Sequence, residues 1–407
     1  MFRSSKLRDA VRRGRGLLYD HRTPVLATIA FGWLITQGMR FVVPAVLPSV
    51  KSDLLIGNTV AGFAVSLLWL MYAVMQFPSG ILIDRIGERI VLILSMLVGG
   101  AGLLLFTFSP GLVTFFVACT LFGLGTGLFG TPRVTVLSKV YSENDGTALG
   151  ITFAAGNVGA AILPVCAGVI SLYLGWRASF GVVVPLFALV GLGMVRTLPE
   201  GSTTSAVDKS SIHASRRLKT GLIRRPVLLA GGAITIVVFS FQGLTAFLPI
   251  YLITIKGLNQ NIAGSLYGLF FTAGAVVQPL AGYVGDRYGN RNALVAITGV
   301  YTLGLFALPF AGRLEHLIVL VVVLGTRSGI GPINNSYLVA SLPDDIRGSG
   351  YGLLRTTYLV IASTGSLVVG ALSEAGWFDQ AFVFLAVLTA IATGFYVILP
   401  ERGVVEA

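Results

Sequence analysis

Four arginines, Arg40, Arg133, Arg327 and Arg355, lie inside long apolar stretches of a 407-residue chain. An ionised group at the centre of a bilayer costs roughly 2.5–3.5 kcal/mol on insertion scales. Such a group must therefore meet water, a polar partner or a ligand. Arg40 and Arg327 stand near the middle of their stretches, Arg40 about 15 Å from the nearer end at 1.5 Å per residue. All 17 acidic residues fall in expected loops, tails or helix ends, as do His21, His213 and His316. The two central cations thus have no expected resident counter-charge. The chemistry that fits is binding of an anion that arrives and leaves, since a guanidinium fork matches a carboxylate or phosphate. The other reading of both is packing, with Arg40 satisfied by backbone carbonyls near Pro44 or by interhelical hydrogen bonds. Arg133 and Arg355 lie nearer the ends of their stretches and are expected to snorkel outward.

Neutral polar residues accompany the central pair. Gln37 is three residues before Arg40 and shares its helix face. Gln242 is its counterpart in the second half of the chain. Asn334, seven residues after Arg327, falls on the same face of an ideal helix. Asn157 lies in a further apolar stretch. Each is a candidate substrate contact, with interhelical bonding as the alternative. Cys119 and Cys166 sit in apolar runs and read as packing residues. No residue pattern calls for a cofactor or a metal, and nothing assembles a nucleophile, base and orienter, so the chain is not expected to be an enzyme.

The elements that position these residues follow from composition. Hydrophobic residues make up 55% of the chain and charged ones 11%, with mean hydropathy +0.84. An ordinary soluble domain carries ~25% charged residues, so a soluble enzyme and a disordered chain are both excluded. A spanning helix needs ~20 mostly apolar residues. Twelve segments qualify, numbered here as spans 1–12: 24–50, 58–83, 90–109, 111–138, 146–174, 178–198, 227–254, 262–285, 292–312, 316–340, 348–374 and 378–399. Their continuous apolar character excludes a β-barrel, which would alternate over ~10-residue strands. The N-terminal stretch lacks the features of a cleaved signal peptide. The expected order is a basic tail (1–23), a six-helix bundle (24–198), a linker (199–226), a second bundle (227–399) and a short tail (400–407).

The net charge of +12 has a topological reading. With the N-terminus cytoplasmic and the spans alternating, 21 Lys and Arg residues fall on the cytoplasmic side. Four, Lys51, Arg177, Lys256 and Arg313, fall outside. That asymmetry is the positive-inside pattern, and it places both termini in the cytoplasm without invoking nucleic acid.

The chain also repeats itself. Gly80-Ile-Leu-Ile-Asp84-Arg85-Ile-Gly87-Glu-Arg89 recurs as Gly282-Tyr-Val-Gly-Asp286-Arg287-Tyr-Gly289-Asn-Arg291, an offset of 202. Gln37-Gly38 with Pro44 recurs as Gln242-Gly243 with Pro249, and Gly146–Gly150 matches Gly348–Gly352. Two structurally similar halves follow. Two copies of this turn in a twelve-span chain resemble the signature loop of the major facilitator superfamily. The resemblance implies an all-α membrane fold (two pseudo-symmetric six-helix bundles) and transport by alternating access. It further implies that spans 1, 4, 7 and 10 line a central cavity. It also implies a conformational latch formed by Gly80, Asp84, Arg85, Gly87 and Arg89 and, in the second copy, Gly282, Asp286, Arg287, Gly289 and Arg291. In that latch the Asp pairs with a nearby Arg and faces a helix N-terminus of the opposite half, here span 11 near Gly348. A turn that only fixes topology is the plainer alternative.

Other family motifs are missing. The position four residues before Gly123 in span 4, where proton-using members often carry Arg, is Cys119. The Gly-Pro motif of drug antiporters in span 5 is replaced by Gly156-Asn157-Val158-Gly159. An Arg in span 1 resembles organophosphate antiporters, but their second Arg has no match, since Thr245 stands at the repeat-equivalent of Arg40. The expected function is movement of a small organic or inorganic anion across the cell membrane, with the coupling ion open. An exporter of hydrophobic or cationic compounds and a non-transporting solute sensor are the alternatives.

Overall fold

The computed structural model describes residues 22–142, 145–199, 221–343 and 346–400, the side chains of 286, 347 and 349 excepted. The tails and most of the expected linker lie outside the described residues. Within them every regular element is helical. Eleven helices are long and apolar enough to cross a bilayer. The longest, Asn58–Thr107, has 50 residues. That is ~75 Å at 1.5 Å per residue, more than twice a ~30 Å hydrocarbon core. It breaks at Gly87, where φ is 81° and ψ 158°. It therefore holds spans 2 and 3, and twelve crossings result. The expected loop at 84–89 is reduced to one non-helical residue.

The remaining spans follow the apolar segments closely. Span 1 is Thr23–Leu54, span 4 Leu112–Val140, span 5 Asp145–Leu174, span 7 Arg225–Thr254, span 8 Gln260–Tyr288 and span 12 Phe378–Val397. Four are interrupted. Span 6 is Trp176–Gly181 and Val184–Thr197, and span 9 is Asn290–Ala307 closed by a 3-10 turn at Leu308–Phe310. Span 11 is Arg347–Ser363 and Gly365–Glu374. Span 10 is Leu314–Gly325 and Ile330–Ser341, joined by a tight 3-10 turn, Thr326–Gly329, that contains Arg327.

The backbone carries the repeat more clearly than the sequence does. Gly289, the counterpart of Gly87, has φ 87° and ψ 144°. A second pair was not apparent from the sequence. Gly175-Trp176 and Gly376-Trp377, offset by 201, open spans 6 and 12 with φ of 80° and 86°. This backbone region is essentially reserved for glycine, and another residue there costs about 1–3 kcal/mol. Gly87→Ala is accordingly expected to lower the thermal unfolding midpoint of the purified protein. Gly264→Ala, where an added Cβ meets nothing within 4 Å, should not.

Small residues bring helices together in matching places. A Cβ on Gly159 of span 5 would fall 2.1 Å from the Leu34 carbonyl of span 1. One on Gly365 of span 11 would fall 2.2 Å from the Phe239 carbonyl of span 7. Gly123 and Gly127 seat span 4 on span 2, and Gly125 seats it on span 3.

The two ends of the molecule differ. The end bearing the turns at Gly87 and Gly289 is the basic end. There an added Cβ on Gly80, Gly146, Gly150, Gly282, Gly348 or Gly352 meets nothing within 4 Å. These glycines mark the ends of spans 2, 5, 8 and 11. At the opposite end the same four spans pack across the halves. Gly62 abuts the Ser366 carbonyl, Gly370 the Asn58 carbonyl, and Gly268 the side chain of Val165. Among the described residues the halves pack tightly at one end, whereas at the other these six positions are open.

Candidate functional site

Arg40 sits in the middle of span 1 and is 1% exposed. Its side chain donates to the Gln37 Oε1 and, at 3.4 Å, to the Thr36 carbonyl. Three rings surround it. Its guanidinium carbon is 4.1 Å from the Tyr72 centroid and 5.2 Å from those of Trp33 and Trp69. Such cation–π contacts contribute about 0.5–2 kcal/mol each. Arg40 thus has rings of span 2 and of its own span for company, and no salt bridge to a carboxylate among the described residues.

Arg133 overturns the snorkelling expectation. It is 3% exposed, and its guanidinium stacks 3.7 Å from the Trp33 ring and 4.8 Å from that of Phe153. Its Nε and Nη1 are buried without a partner. The reason is rotational. Span 4 turns Arg133 toward the aromatic faces of spans 1 and 5 rather than along its own axis toward the membrane edge. Arg355 of span 11 departs from the same expectation. It lies within electrostatic reach of Tyr72, Tyr351 and Tyr358, and of both Arg40 and Arg133. Arg327 stacks 3.7 Å from the Phe241 ring of span 7, with a buried, unpartnered Nε. Tyr301, Tyr358 and Tyr396 lie within its electrostatic reach.

Three residues that sequence reasoning passed over join these groups. Tyr72 of span 2 lies among Arg40, Arg133 and Arg355. Tyr358 lies near both Arg355 and Arg327. Gln76, one turn beyond Tyr72, is 7% exposed with its Nε2 unpartnered. A tyrosine or glutamine alone in a spanning helix carries no sequence signal of this kind, although the i, i+4 spacing of Tyr72 and Gln76 places them on one face.

The neutral candidates divide. Gln37 is held by Arg40. Gln242 is buried with its Oε1 unpartnered. Asn157 donates to the Gln278 Oε1 at 2.6 Å, a bond between spans 5 and 8 and so between halves. Asn334 accepts from the Tyr396 hydroxyl at 3.0 Å and leaves its Nδ2 unpartnered. Among the described residues no group of three His, Cys, Asp or Glu side chains could hold a metal. Cys119 is buried, while Cys166 is exposed on span 5.

On the side away from the basic end, aromatic rings close the site. Phe41 of span 1 lies 4.5 Å from Phe271 and 5.9 Å from Phe241, both of the other half, and 5.5 Å from Trp69. Beyond them the Ser66 and Ser366 hydroxyls meet at 2.8 Å, and the Leu367 amide donates to Ser66 Oγ at 3.0 Å. At the outer rim the Thr59 amide donates to Glu374 Oε2 at 2.6 Å, so a carboxylate of one half caps a helix of the other. Just past the end of span 7, partial burial lowers the Lys256 ammonium from its ordinary range, opposed by the Asp379 charge.

A family model described as Major Facilitator Superfamily matches residues 29–324 and 257–406. The chain belongs to this superfamily. A bacterial homologue of the human lysosomal transporter Spinster, solved in an inward-facing, unoccupied conformation, superposes with a TM-score of 0.79 at 15% identity, covering 94% of this chain and 97% of that one. Riboflavin transporter RibZ of Clostridioides difficile (strain 630) is 22% identical over 361 residues, which is 76% of this chain and 79% of the relative. A probable L-galactonate transporter of Escherichia coli (strain K12) is 27% identical over 256 residues, 58% of this chain and 56% of the relative.

The superfamily's signature turn is held within its own half. Glu88 is 5% exposed and accepts from Lys139 of span 4 at 2.5 Å. Arg89 donates to the Val195 carbonyl at the end of span 6, also at 2.5 Å. Asp84 and Arg85 are exposed, and Asp84 makes no ion pair among the described residues. In the second copy Arg287 donates to the Tyr283 hydroxyl at 2.9 Å and lies over Tyr288. Arg291 is partly buried, and the Asp286 side chain lies outside the described set.

Proposed function

We propose that this transporter moves a small organic or inorganic anion by alternating access, with Arg40, Arg133, Arg355 and Arg327 as its binding charges. One observation carries the reading. Three guanidinium groups from both halves, Arg40, Arg133 and Arg355, lie within electrostatic reach of one another behind the aromatic floor, and Arg327 stacks on the Phe241 ring of that floor, while the one buried carboxylate among the described residues, Glu88, is committed to Lys139. Like charges within reach of one another in a low-dielectric site repel, so an anion entering such a cluster relieves repulsion as well as gaining hydrogen bonds. A thermal-shift screen of purified protein against simple anions and lipophilic cations tests it, because a binder raises apparent stability by mass action. Stabilisation by anions is expected. Stabilisation by lipophilic cations alone would overturn the reading in favour of an exporter of hydrophobic compounds, which the aromatic floor would suit. Flux into proteoliposomes distinguishes transport from sensing.

The sealed and open ends support an orientation. With both termini cytoplasmic, as the basic loops favour, the open basic end faces inward. Asp84 is then a latch residue released in this state and engaged when the basic end closes. Asp84→Asn is expected to raise the inward-open population, read as reduced cross-linking of cysteines placed at the basic ends of spans 2 and 11. Unchanged cross-linking would leave the turn a topological element only.

A further inference from the structure

Resting on the anion reading above, we propose that the cargo carries two or more negative charges and is gripped at two points. One point is Arg133 with Gln76 in the first half, and the other is Arg327 in the second. Unused donors lead to this assignment. Arg40 has side-chain donors engaged by Gln37 and Thr36, so it acts chiefly through its charge. Arg133 is different, with Nε and Nη1 buried and unpartnered, and the Gln76 Nε2 is in the same condition. These groups are neighbours. A Cβ on Gly130 would fall 3.1 Å from Gln76 Nε2, and Arg133 is one turn along the same face of span 4. A buried donor left unmade is costly, so three together in one place mark a seat for an oxyanion.

The other arginine with a buried, unpartnered donor among the described residues is Arg327, at Nε, on the opposite half. Tyr358 is within reach of Arg327 and of Tyr72, and Tyr72 in turn is within reach of Arg133, so the two tyrosines join the two places. Charge leads to the same class of cargo. Four cations face a cargo with no carboxylate nearby among the described residues, so a monovalent anion would leave three uncompensated. A two-headed anion satisfies donors on both halves at once. Its affinity therefore depends on how the halves are placed, which is what a ligand needs if it is to bias a conformational equilibrium.

The test uses the purified full-length protein with acetate, succinate, citrate and inorganic phosphate at constant ionic strength, read as the concentration giving half-maximal thermal stabilisation. Succinate and citrate, which carry separate carboxylates, are expected to act at concentrations roughly tenfold or more below acetate, and phosphate, a single-centred anion, should not share that gain. R133Q and R327Q should each bring succinate to within about threefold of acetate, as loss of one of two grips requires. Should R133Q fail to fold, R133K keeps the charge without the fork and is expected to weaken succinate roughly tenfold. Equal midpoints for acetate, succinate and citrate overturn the two-point grip and leave the anion reading standing. An unchanged succinate midpoint in R133Q, R133K or R327Q overturns the residue assignment. Absence of any response to these anions overturns both.

Discussion

Arg40→Gln is expected to fold, reach the membrane and lose most transport. Gln keeps a polar end but removes the positive charge and shortens the side chain. Truncating one partner of a buried charged contact costs about 2–5 kcal/mol, and every 1.4 kcal/mol is about tenfold. Uptake at limiting substrate should therefore fall about thirtyfold or more. The same substitution removes three ring contacts of about 0.5–2 kcal/mol each, so the unfolding midpoint of the unliganded protein should fall modestly while uptake falls far more. Removing Arg40 also frees the Tyr72, Trp33 and Trp69 rings from their shared cation, which separates two roles. Normal uptake with a lowered melting temperature would make Arg40 a packing residue, and the other arginines would then carry the site alone.

S66C/S366C is the second large effect. The two hydroxyls are 2.8 Å apart, near enough for a disulfide with S–S close to 2.04 Å after a small adjustment. In a background with Cys166 replaced, the oxidised double variant should show transport at background level and recover with reductant. Either single variant should ignore the oxidant. The bond would tie span 2 to span 11 on the side where the halves already touch. Full cross-linking with undiminished transport would mean that this seam never opens in the cycle.

The parts of this molecule legible in its sequence are those set by chain length and by backbone demands. Run lengths gave the spans because a bilayer fixes how many apolar residues a crossing needs. The repeated turn was legible because Gly87 and Gly289 occupy a conformation that other residues avoid. The Gly-Trp pair at 175 and 376 obeys the same rule but is too short to stand out among many glycines. Depth in the membrane could be read from position along a span, and rotation about the helix axis could not. That is why Arg133 and Arg355 were expected at the membrane edge. Asn334 illustrates a related limit. Its shared face with Arg327 assumes an unbroken α-helix, whereas the tight turn at Thr326–Gly329 adds roughly 20° of rotation per residue. Tyr72, Tyr358 and Gln76 acquire meaning only from arginines on other spans.

The rings stacked on Arg40, Arg133 and Arg327 bear on the unladen leg of the cycle. Once the cargo has departed, these guanidiniums still face electron-rich surfaces fixed to the protein, and that arrangement offsets part of their electrostatic debt. On the anion reading, a π-lined vestibule would ease the vacant return trip, so net efflux from proteoliposomes into anion-free buffer is the expected outcome, and flux only with anion on both sides would mark one-for-one swapping.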